Sequence, residues 1–287
     1  MGGLSVMFEP VPPFGAARLK IERAGQHIAE LRIAISGFLA SKPVEIIVEA
    51  PDTFKLTQSH VWTARVRNTV PLAMSSILGD AVHNLRTALD LLASDLAKLN
   101  GKNPAGVHFP FAGDVLGLDD QIRRKNFTRA GPQAVKLLRS LKPYKGGNIA
   151  LRGLHDLDLQ DKHQAVLPTI SAVSLPGFAL ILGTKHNLVP EWKTTVTHDG
   201  QMILIMPAID NLAVGTEMKA HLSLVFGEGG PFAEAEIIPT LETLRENVVS
   251  TVEAFEALFP TARFPPTTVD PATHGRRTLL IGDPRRA

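Results

Sequence analysis

Cysteine is absent from this 287-residue chain, which excludes disulfides and thiolate metal sites and fits a reducing compartment. Aromatic residues are scarce at 6%, with one tyrosine and two tryptophans. Trp62 and Trp192 therefore read as core or sheet-face anchors rather than platforms for stacking bases. Charge of one sign is missing too, since 30 Lys and Arg against 28 Asp and Glu leave a net +2. The isoelectric point of about 8.9 follows from that near balance. No bulk electrostatic case for a nucleic-acid partner exists, and the short basic runs IRRKN and GRR…PRR read as solvated surface. No apolar run approaches the roughly 20 residues that span a bilayer. The opening MGGLSVMFEPVPPFG has no basic stretch followed by an apolar one, so neither a secretory signal nor a membrane partner is expected. A cytoplasmic protein is the expectation. P-loop, GxGxxG, GxSxG and HExxH patterns are all missing, which argues against the commoner nucleotide and hydrolase chemistries.

What is present is ordinary globular material: 44% hydrophobic and 20% charged residues. The periodicities predict helices over Ala16–Leu39, Pro71–Asn100, Pro132–Leu141, Ile149–His163 and Glu234–Phe259. Between them lie strands, with β-branched runs bounded by turn residues. Val44–Ala50 and Gln58–Arg67 read as a hairpin. Ala165–Ser174, Phe178–Leu182, Lys193–His198, Gln201–Met206 and Met218–Phe226 read as an antiparallel set, with His198-Asp199-Gly200-Gln201 as a hairpin turn. Lys102–Thr128 reads as a long irregular loop, a feature that is often functional or mobile. The fold class is α+β, a helical bundle of the N-terminal helices and the C-terminal helix packed on a mainly antiparallel sheet. A single domain over residues 1–260 is expected, then a Pro-rich basic arm over 261–287.

The stretch PLAMSSILGDAVHNLRTALDLLASDLAKLN draws attention by an omission of its own. Its apolar stripe runs through Leu78, Val82, Leu85, Leu89, Leu92 and Leu96, yet no Lys or Glu occurs from Leu72 to Ala97. Short polar residues and Gly79 fill the opposite side, with His83, Arg86 and Asp90 among them. Long charged side chains would hold a neighbour off, so this side is expected to be covered. The natural partner is LRGLHDLDLQDKH, where His155, Asp158 and Lys162 share one stripe.

The patterns KIERAGQHIAEL, GDAVHNLRTALDLLA and LHDLDLQDKH together resemble a family of uncharacterised bacterial and phage-borne proteins with HNLRSALDHLA-like and LDNIDKHR-like segments. The resemblance covers about the first 165 residues and implies no activity. Leu91 stands where that family often has His, and Gln164 where it often has Arg.

If the two stripes face each other, a histidine poised by an aspartate can act as a general base while Arg86 or Lys162 holds an anion. The working expectation is an intracellular protein with a buried site of His83, Arg86, Asp90, His155, Asp158 and Lys162, acting as an acid–base hydrolase or an anionic-ligand-binding enzyme. Three alternatives stay open. In a non-catalytic assembly or interaction protein, the cluster only fixes helix register. In a helical metal-binding protein, Asp80, His83, His155, Asp158 and His163 would hold a divalent metal, because Asp-x-x-His and His-x-x-Asp put ligands one turn apart. An RNA-acting protein of the HEPN-like kind would need an Arg-x(4–6)-His signature, which the candidate helices lack. A homo-oligomer is compatible with each.

Overall fold

The computed structural model describes residues 12–49, 59–163, 166, 168–173, 179–182, 185–188, 193–207 and 221–261. The expected arm over 261–287 lies, beyond its first residue, outside the described residues. Among the described residues six α-helices occur: α1 (Gly15–Ala40), α2 (Leu72–Leu99), α3 (Leu118–Arg124), α4 (Pro132–Leu141), α5 (Ile149–His163) and α6 (Ile237–Glu256). The strands are β1 (Val44–Glu49), β2 (Ser59–Val66), β3 (Pro168–Val173), β4 (Ala179–Leu182), β5 (Lys185–Leu188), β6 (Lys193–Val196), β7 (Gln201–Pro207) and β8 (His221–Phe226). They form two antiparallel three-stranded sheets, ordered β1-β2-β7 and β6-β3-β8, and the pair β4-β5. The α+β architecture expected from the periodicities is the one observed.

Helix α2 is the centre of the bundle, in contact with α1, α5 and α6. Its apolar stripe explains why. Leu78, Leu85, Leu89, Leu92 and Leu96 are all sealed from solvent, and at about 1.5–3 kcal/mol for each large apolar side chain this burial dominates the local energetics. Pro71 precedes the first turn in extended conformation. The far end is closed by Gly101 at φ +67°, whose N–H reaches the Lys98 carbonyl while the Lys102 N–H reaches Ala97. This is a Schellman stop, and it explains why the pattern ends at Asn100-Gly101.

The entry to α1 is set from α2. Phe14 sits at φ 64° with no capping side chain of its own. Its N–H donates instead to the buried Asp95 carboxylate at 3.0 Å, and Lys98 donates to the other oxygen at 2.9 Å. A single acid thus fastens two helices together.

Two sequence expectations need correction. Lys102–Thr128 is not irregular throughout, because α3 forms within it. Phe109 and Phe127 from this region meet Phe255 of α6 edge-on, with ring centroids 6.4 and 6.2 Å apart, so aromatic packing orders the segment without a long helix. The His198–Gln201 turn does not close a hairpin. β6 pairs with β3 and β7 pairs with β2, so the turn carries the chain from one sheet to the other. Gly200 takes φ +72° there and donates to the Ala64 carbonyl, while the Asp199 carboxylate accepts from the Val66 N–H at 2.8 Å. Turn residues hydrogen-bond to β2 in place of a partner strand.

Among the described residues, no helix is long and apolar enough to cross a membrane.

Candidate functional site

Helices α2 and α5 meet antiparallel. Moving along α2 from Gly79 to His83 to Arg86 brings one past Asp161, Asp158 and His155 in turn. The close approach begins at Gly79, where a Cβ would fall 2.5 Å from an Asp161 oxygen. Any larger residue there would require that carboxylate to shift. Burial is the main cause that raises the Asp161 pKa, with the charges of Asp158 and Asp80 adding to it against a backbone hydrogen bond from Val166.

The polar residues divide into two groups. In the outer group, His83 Nδ1 lies 3.0 Å from Asp158 Oδ1, and Lys162 Nζ donates to Asp158 Oδ2 at 2.6 Å. The Asp158 side chain is only 3% exposed, whereas His83 is 55% and Lys162 50% exposed. A buried carboxylate bonded to the Lys162 ammonium and to an imidazole nitrogen keeps its charge compensated. It also assigns the His83 proton to Nδ1, so that the Nε2 lone pair points away from Asp158. The nearest partner of Nε2 is the Thr87 hydroxyl at a long 3.4 Å.

The inner group is closed. Arg86, 9% exposed, directs Nε to His155 Nδ1 at 3.4 Å, and its Nη1 lies 2.8 Å from Asp90 Oδ1. That contact is an ion pair by distance but lies off the line of a hydrogen bond, so Nη1 has no hydrogen-bond partner. Phe111 stacks on His155 with centroids 4.5 Å apart and planes 2° from parallel, and the Arg86 guanidinium lies 4.7 Å over the same ring. Asp90 accepts from the Phe109 N–H at 2.8 Å and has His108 Nδ1 3.5 Å away. Beside this group, on the outward face of α5, Arg152 clasps Asp156 with two nitrogens and donates to the Ala112 carbonyl at 2.7 Å. Burial first, then the charges of Arg86 and Arg152, push the His155 pKa down to about 4. His155 is therefore neutral at pH 7 and accepts from Arg86.

The residues singled out from the sequence are thus brought together, but not as one buried site. His83 and Lys162 stand at the surface, which corrects the expectation of burial. The polar side of α2 is covered at Gly79 and Arg86 and half-covered at Thr87, Asp90 and Ser94, while Ser76, Asp80 and His83 remain exposed. A 15-residue α5 and the loop of His108–Phe111 are too narrow to cover more.

The four candidate metal ligands whose side chains are described, Asp80, His83, His155 and Asp158, do not form a metal site. Asp158 is already taken by His83 and Lys162, Asp80 is exposed, and the His163 side chain lies outside the described residues. Among the described residues no set of three acids and histidines could hold a metal ion. His108, Phe109 and Phe111 are members that the helical periodicities could not supply. Their signal was the length of the loop after α2 and the spacing of VHFPFAG. His27, on α1, is buried 3.7 Å from Glu30 and takes no part.

Compared with family models, curated proteins and solved structures, the chain finds no match in any of the three.

Proposed function

We propose that the chain is a non-catalytic binding or assembly protein in which the α2–α5 polar cluster is a register lock. The observation that carries this reading is the closed stack of Arg86, Phe111 and His155. Nearly every polar group there is engaged within the protein, and the cleft of about 600 Å³ against α5 is not lined by His83 or His155. An enzyme built on both histidines would need one cavity reaching them. The lock ties three segments, since Asp90 holds the loop, Arg86 holds α5, and Asp158 receives both helices. A reducing intracellular setting fits the cysteine-free composition, and kinship with the bacterial and phage-borne family stays a proposal resting on three motifs.

The test is a double-mutant cycle in urea. Arg86→Ala and His155→Ala should each lower stability by more than about 1 kcal/mol, because each leaves a buried partner unsatisfied. Their coupling should fall at roughly 0.5–3 kcal/mol. Additive, near-zero effects would sink the lock.

A second reading has one observation in its favour, the half-exposed His83 imidazole oriented by a buried carboxylate. Its Nε2 could accept a proton from a substrate whose phosphate or carboxylate pairs with Lys162. Proton NMR of His83 in the presence of inorganic phosphate checks it. A shift abolished by Lys162→Gln supports this reading, and an unmoved imidazole removes it.

A further inference from the structure

Helix α5 has a second polar face, turned away from α2. Ile149, Arg152, Asp156 and Gln160 recur on it at three- and four-residue spacing and form one wall of the 600 Å³ cleft. Opposite stand two glycine-bearing loops, one at Lys145 and Gly146 and the other at Glu228, Gly229 and Gly230. The backbone makes these walls. Gly146 and Gly229 take φ +86° and +81°, which side-chain-bearing residues adopt only at a cost. At Gly230 a Cβ would lie 3.0 Å from the Gln160 amide oxygen, so the loop sits close on α5. The volume falls within the range of small-molecule sites, roughly 300–1,000 Å³.

The charges in the cleft are not equivalent. Arg152 and Asp156 neutralise each other through two hydrogen bonds of 3.0 and 2.6 Å, so neither is spare. Lys145 and Glu228 are different, since among the described residues neither side chain makes a hydrogen bond or an ion pair. An unspent cation on the first loop thus accompanies an unspent carboxylate on the second. The Gln160 amide can both donate and accept. The first turn of α5, beside Lys145, adds the partial positive charge of a helix N-terminus. Ile149 is 76% exposed at this rim, an apolar surface next to polar groups.

We propose that this cleft binds a small zwitterion with an apolar substituent, of the dipeptide class, its carboxylate at Lys145 and its ammonium at Glu228. A purely anionic ligand would meet Glu228, and a purely cationic one would meet Lys145, so a molecule bearing both signs is favoured over either. Rigid seating of α5 by the lock preserves the wall, and to that extent the inference rests on the proposed function.

The probe is leucyl-leucine, titrated calorimetrically into the full chain. Saturable binding is expected, weakened about tenfold by N-acetylation or by C-terminal amidation of the dipeptide, as loss of a charge-assisted contact would do. Lys145→Gln should weaken the free dipeptide to a similar degree and abolish the discrimination against the amidated form. Glu228→Gln should do the same for the acetylated form. Absence of saturable heat up to about 10 mM, the scale of very weak association, overturns the proposal. So does binding that both substitutions leave intact. Failure of the lock would appear in urea unfolding and failure of this site in the titration, so the two are distinguishable.

Discussion

At the scale of the residue, the clearest economy is Asp95. One 5%-exposed carboxylate receives the Phe14 N–H and the Lys98 ammonium, and so supplies α1 with the cap its own sequence lacks. Asp95→Ala leaves the Phe14 N–H unpaired in a dry environment and should cost about 1–3 kcal/mol, read as a lower urea midpoint. An unchanged midpoint would mean that water substitutes for the acid. This bond joins residues 81 apart in the chain, which is why no local capping pattern reveals it. By contrast His83, Arg86, Asp158 and Lys162 were legible, because stripes at helical spacing betray themselves in a sequence. Their division into a closed inner group and an open outer one was not legible. It depends on Phe111 and Asp90, and only the folded loop brings these together.

At the scale of the element, α5 shows how a glycine can be favourable inside a helix. Replacing glycine by alanine in a helix interior normally stabilises by about 1 kcal/mol. A Cβ at Gly153, however, would run into the ring of Phe232. Gly153→Ala should therefore destabilise the chain despite the better propensity, with thermal unfolding as the readout and a raised Tm as the contrary outcome. The helices with long apolar stripes were readable almost to the residue, α2 and α4 above all, since burial and stop signals agree there. The short α3 was missed because seven residues span barely two turns, too few for a periodicity to register. The sheets were half readable. Alternation located most strands, but which sheet each joins is decided by pairing partners far away, as β6 and β7 demonstrate.

At the scale of the whole molecule, pH is the natural probe. The folded chain holds the His155 pKa near 4, against an ordinary imidazole value of 6.5. Between those values the unfolded chain binds a proton that the folded chain refuses. The contribution is therefore complete above 6.5 and is lost as pH falls through the folded value. Asp161 acts oppositely. Its raised pKa gives a contribution that is present at low pH and lost as pH rises through the folded value. Urea midpoints at about pH 7 and about pH 5 should differ, the lower pH being less stable, and His155→Gln should narrow that difference. An equal fall in both proteins would show that His155 is not the titrating group.

The pairing of α2 with α5 also has a kinetic meaning. His83 and Asp158 are separated by 75 positions, and Arg86 and His155 by 69. Before such groups can meet, the chain between them must give up its loop-closure entropy. The lock is therefore expected to close after the rate-limiting barrier, once α2 already has its apolar neighbours. Loss of His155 should leave the refolding limb of a chevron superimposed on that of wild type while raising the unfolding rate. A matching fall in the refolding rate would show that the lock forms before the barrier. On this view the polar cluster does little to guide the chain to its fold, and acts chiefly to lengthen its stay there.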